Sequence, residues 1–164
     1  MYNEDRAEIR TAQFLAEQLE NHGFQSFQVG TYAPFLSCGD NKTPDIILLH
    51  EDCNIVFLVE VDEHAHSRYE ETCEWFELYS HCQSIMATPT LNPNVVVCIR
   101  FNPDVWRVNG KHQHVNFDAK MEVLRETIMD IVEEEAETEH TFPIRVMYIN
   151  YPTKDDNPVV VRRD

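Results

Sequence analysis

Three short stretches of this chain, residues 46–49, 55–59 and 95–99, consist of little but aliphatic and aromatic side chains. Each is far too short for a membrane-crossing helix, which needs about 20 such residues. None shows the polar–apolar alternation of a strand with one wet face. Runs of this kind are typical of central strands covered on both sides. A chain with three of them must also supply helices for both faces of the sheet, which sets the class as α/β.

The rest of the sequence supplies those helices. Ile9, Ala12, Leu15, Ala16 and Leu19 recur at helical spacing within residues 4–22, and His22-Gly23 reads as the helix end. Residues 24–29 alternate and predict a half-buried strand. Residues 30–43 read as a loop, and Glu51-Asp52-Cys53-Asn54 reads as a turn. A helix is expected over about 67–86 and a third buried strand over 95–99. A polar excursion follows at 105–116. Met121, Leu124, Ile128, Ile131 and Val132 mark an amphipathic helix over 117–138, and a last strand is expected at 142–150. The predicted order is α-β-β-β-α-β, then α-β. The 164 residues suit a single domain over 1–152, with 153–164 as a loose tail.

The N-terminus lacks the basic-then-apolar layout of a signal peptide. Five cysteines, with no C-x-x-C pair, argue against a disulfide framework. An intracellular setting, cytoplasmic or nuclear, is expected, with Cys53 and Cys98 as small core residues. The net charge is −16, and residues 117–139 alone hold nine acids against two bases. That balance disfavours non-specific nucleic-acid binding. The stretch 133–139 reads as a solvated helix end.

Chemistry is concentrated where apolar runs end. Glu60 and Asp62 flank Val61, so in a strand they project to one face. Asp45 opens the preceding strand. If the two strands form an antiparallel hairpin, Asp45 lies beside Glu60 and Asp62. Three carboxylates in one place repel one another, and a hard cation removes that cost. Mg²⁺ or Mn²⁺ is the expected metal. Such an ion polarises a phosphoryl oxygen and acidifies bound water, so phosphodiester hydrolysis is the expected reaction.

Pro44-Asp45 followed by Glu60-Val61-Asp62 resembles the P-D … (D/E)-x-K pattern of the PD-(D/E)XK nuclease superfamily. The stretch V-E-V-D-E-H-A-H-S-R-Y at 59–69 and V-V-V-C-I-R-F-N-P-D at 95–104 resemble one branch of it. That branch is related to the very-short-patch-repair endonucleases. It includes bacterial proteins and reading frames of large DNA viruses. The resemblance spans roughly residues 4–104. It implies a restriction-endonuclease-like α-β-β-β-α-β core, with an additional C-terminal helix and strand. It also implies a metal-dependent DNA endonuclease, virus-encoded in one of those lineages. By the same resemblance Asp45 bridges metal, and Glu60 is a second ligand or positions water. The Val61 carbonyl completes the shell, and Asp62 stands where the superfamily has lysine. His66 is a general base or a further ligand, and Glu8 matches an acid of the first helix. Glu77 stands where relatives carry arginine.

Lys42, Arg68, Arg107 and Lys111 are the nearest basic candidates for contact with a DNA backbone. Arg100, at a strand end, pairs with the carboxylates or with a phosphate. A zinc site of His64, His66, Cys73, His81 and Cys82 is the weaker metal reading, because its spacing lacks the usual ligand knuckle. His112-Gln113-His114 is a second H-x-H pair in a loop. A different class remains open: a nuclease-like fold that no longer cuts and uses its acidity to hold a basic protein partner. The absent lysine and Glu77 favour it. No serine-hydrolase or phosphate-loop motif is present.

Overall fold

The computed structural model describes residues 6–28, 44–62, 71–89, 91–104, 107–108, 111–112, 116–137, 144–149 and 159–163. The apolar stripe at the start of the chain forms α1 (Ala7–Leu19), with Thr11, Ala12, Leu15 and Leu19 buried. Gly23 ends the turn that follows, at φ +78°. Only glycine enters that region without steric cost. β1 (Phe24–Gln28) then runs antiparallel to β2 (Ile46–His50). A tight turn with Asn54 at φ 52° joins β2 to β3 (Ile55–Val61). Asparagine is among the few residues that tolerate this left-handed conformation. β2 and β3 form the expected antiparallel hairpin, with Ile46 opposite Val59.

β3 connects through α2 (Glu71–Met86) to β4 (Val95–Phe101), which lies parallel beside it. A two-stranded ribbon of β5 (Arg107–Val108) and β6 (Lys111–His112) follows, within the stretch read as a polar excursion. α3 (Phe117–Glu137) leads to β7 (Ile144–Ile149), parallel to β4. The expected element order is therefore present. Residues 153–164, expected as a loose tail, hold a further strand, β8 (Val159–Arg163), antiparallel to β7. The main sheet is mixed and six-stranded, ordered β1-β2-β3-β4-β7-β8.

Side-chain parity sorts the two faces. Odd-numbered residues of β3 and β4, among them Phe57, Val59, Ile99 and Phe101, pack with Leu15 and Leu19 of α1 and with Leu124, Ile128 and Ile131 of α3. Even-numbered residues, including Val56, Leu58, Val96 and Cys98, pack with Leu78, Cys82 and Ile85 of α2. The molecule is thus a three-layer α/β/α stack, and β3 and β4 are buried from both sides, as their continuous apolar runs require. No helix among the described residues is long and apolar enough to cross a membrane.

The acidic end of α3 is not simply solvated. Arg145 of β7 is buried and binds Glu135 at 2.6 Å and Glu134 at 3.2 Å. Two acids of the run are used to neutralise a cation at the sheet surface. Gly23 makes a separate prediction. Alanine there would be held at a left-handed φ, with its Cβ 3.4 Å from Nε2 of His50. Gly23→Ala is expected to cost about 1–2 kcal/mol, read from the shift in the urea midpoint at unchanged slope.

Candidate functional site

The start of β2 and the ends of β3 and β4 meet at one end of the sheet. Asp45 immediately precedes β2, and its Oδ2 accepts a hydrogen bond of 2.8 Å from the backbone N–H of Val61. The β2–β3 register, carried one step past Ile46 and Val59, sets Asp45 across from Glu60. By parity both belong to the face covered by α2. Glu60 is half-buried and lies opposite Arg100 in the parallel β3–β4 ladder. Its Oε1 is 3.7 Å from Nδ1 of the buried His81 on α2.

Asp62 has a different fate. Its side chain is 2% exposed, and Arg100 grips it through both oxygens, with Nε to Oδ2 at 2.7 Å and the second contact to Oδ1 at 2.9 Å. The N–H of Asp62 donates to the carbonyl of Phe101 at 2.8 Å, which extends the β3–β4 pairing past the strand end. Fork-to-fork geometry of this kind is the strongest arginine–carboxylate arrangement. The sequence left Arg100 open between the carboxylates and a phosphate, and the structure places it on Asp62.

The residues after β4 are tied down as well. Oδ1 of Asn102 accepts from the N–H of Asp104 at 3.0 Å. The fully buried Lys120 of α3 donates to the Pro103 carbonyl at 3.1 Å and to that of Asp104. Burial pushes its ammonium below the ordinary lysine value, while the charge of Asp104 pulls the other way. The I-R-F-N-P-D stretch thus has a structural account at every contact described: an ion pair, a core aromatic, a side-chain turn and a lysine clamp.

Glu8 stands apart from this cluster. It lies in the first turn of α1, the layer on the opposite face, and its carboxylate pairs with Arg6 at 2.8 Å. Arg107 and Lys111 lie on the small ribbon, in register positions opposite His112 and Val108. Lys42, His64, His66 and Arg68 fall outside the described residues. Cys82 and His81, part of the weaker zinc reading, lie on α2 against the sheet, with Sγ of Cys82 at 2.9 Å from that of Cys98. No group of three or more His, Cys, Asp or Glu side chains among the described residues is arranged to hold a metal ion.

The spacing places Asp45 beside both Glu60 and Asp62; the hairpin sets Asp45 across from Glu60, while Asp62 is held by Arg100. The spacing does not show the approach of His81 to Glu60, 3.7 Å between Nδ1 and Oε1, or the burial of Lys120. A signal existed for each. His81 is three residues after Leu78 and four before Ile85, and Lys120 is four before Leu124. Both therefore sit on the apolar stripes of their helices. No family model, no curated protein and no solved structure matches the chain.

Proposed function

We propose that this chain is a Mg²⁺- or Mn²⁺-dependent endonuclease with a restriction-endonuclease-like core, hydrolysing DNA phosphodiester bonds. The observation that carries the reading is the juxtaposition of Asp45 and Glu60 where strands β2, β3 and β4 meet, with Asp45 fixed by the Val61 N–H. Mg²⁺ is commonly bound through one or two carboxylates plus substrate phosphate and water, and these two acids meet that requirement. Asp62 does not fit as a third ligand while Arg100 holds both of its oxygens. The bound ion supplies a polarised phosphoryl oxygen and an acidified water. The chain's own contribution is to hold Asp45 and Glu60 in register on a rigid sheet. The net charge of −16 restricts the substrate to DNA of particular structure, such as nicks, flaps or junctions, or calls for a partner protein.

A second reading has its own support. Asp62 stands where the superfamily has lysine and is held by Arg100, so it supplies neither that cation nor a further metal ligand, which favours a non-cutting scaffold for a basic protein partner. One assay separates the two. Wild-type and Asp45→Ala protein are incubated with labelled duplex, single-stranded, flap and four-way-junction DNA, in Mg²⁺, Mn²⁺ or EDTA. The nuclease reading expects metal-dependent cutting that falls to background in the variant. Folded wild-type protein that cuts nothing and binds no divalent ion would leave the scaffold.

A further inference from the structure

Where α2 crosses the sheet, Cys82 and Cys98 meet with their sulfur atoms 2.9 Å apart. Both are buried, at 1% and 0% exposure. The pair joins a helix to a central strand and spans 16 positions of sequence. We propose that Cys82 and Cys98 are a modification site, an oxidisable dithiol that a small disulfide converts into an intramolecular disulfide tying α2 to β4.

The chemistry balances without further reagents. One of the two thiols attacks the small disulfide as a thiolate, forming a mixed disulfide and releasing one equivalent of thiol. The second attacks the mixed disulfide, forming the Cys82–Cys98 bond and releasing the other equivalent. The pair loses two electrons and two protons, and the reagent is reduced to two thiols. Proximity makes the second step intramolecular, so it outruns capture of another reagent molecule.

The surroundings set how readily this happens. The thiol of Cys98 is pushed well above its ordinary value, first by its hydrogen bond with Cys82, then by burial and the charge of Glu60, with Arg100 pulling the other way. Burial also means that the reagent reaches the pair only when α2 opens locally from the sheet. Oxidation is therefore slow in the closed fold and faster at higher pH. Its product is not a surface adduct but a bolt through the α2 layer. Cys82 neighbours His81, which faces Glu60, and Cys98 lies two residues before Arg100 on the same strand face. The disulfide would hold α2 against the end of the sheet that carries those groups. This inference does not depend on the nuclease reading.

The test uses the full chain and oxidised glutathione as the probe. Protein is incubated with the probe, quenched with N-ethylmaleimide, digested without reduction and mapped by mass spectrometry. The expected result is a peptide pair linked Cys82 to Cys98, formed without denaturant, while Cys53 carries glutathione or maleimide. The melting temperature of the oxidised form should exceed that of the reduced form by about 5–10 °C, the expectation for closing a loop of this length. The gain should vanish in Cys82→Ser. Recovery of Cys82 and Cys98 as separately alkylated or separately glutathionylated peptides, after the other thiols have reacted, would overturn the proposal. So would a linked peptide that arises only in urea. The peptide map needs no variant, so a Cys82→Ser protein that failed to fold would leave the result intact.

Discussion

Arg100→Ala is expected to destabilise the protein by about 3–5 kcal/mol in urea unfolding, the usual cost of leaving one member of a buried ion pair without its partner. The guanidinium is 7% exposed and the Asp62 carboxylate 2% exposed, so water cannot take over the lost contacts without opening the end of the sheet. Two bonds of 2.7 and 2.9 Å disappear together. Arg100 also stands opposite Glu60 in register, so its loss removes a cation from between two acids on one face, Glu60 and Asp62. Asp62→Ala should cost a similar amount, since it strands the guanidinium instead. Converting the pair to Leu and Met together should recover much of the loss, because a well-packed apolar pair of similar volume is often no worse than the ions it replaces. The double-mutant cycle should show strong coupling. A loss below about 1 kcal/mol for Arg100→Ala would mean that Asp62 finds another partner easily. Asp62 would then return as a candidate third ligand.

Much of the fold was legible because the signals that specify it are local. Residues 55–59 and 95–99 announce strands covered twice, and both are fully buried between α2 on one side and α1 with α3 on the other. The turn at 51–54 announces the hairpin, and the hairpin brings Asp45 to Glu60. What was not legible depends on pairings across the chain. The sequence offers Arg100 the carboxylates or a phosphate, and only the β3–β4 pairing selects Asp62, 38 positions away. Arg145 gives no local sign that it will bind Glu134 and Glu135 at the end of α3. β8 was missed for a related reason. Val159, Val160 and Val161 form a short apolar run in a polar tail, and only the open edge of β7 makes a strand of it. Polar residues on apolar stripes form the third case. The rule that charged side chains face water is a strong prior, and Lys120 overrides it because two backbone carbonyls are waiting in the interior.

That buried lysine makes the last prediction. Lys120→Ala is expected to cost about 3 kcal/mol or more, since it strands carbonyl acceptors at Pro103 and Asp104 and leaves a cavity where the stem packed. Lys120→Met should cost less, because it refills the stem and removes the buried charge while still losing the hydrogen bonds. The pH dependence separates charge from packing. Burial lowers the folded-state value of Lys120 below the 10.5 of the unfolded chain. Between those two values the unfolded chain binds the proton and the folded one has released it, so stability must rise with pH across that window. The neutral amine still donates to the carbonyls, so the clamp survives deprotonation. Measured by urea unfolding from neutral pH up to 10.5, the wild type should gain on Lys120→Met as the pH rises, other titrations cancelling in the difference. If the wild type instead loses ground over that range, the attraction of Asp104 for the ammonium outweighs its burial. Lys120 would then be held in the interior as a charge and not despite one.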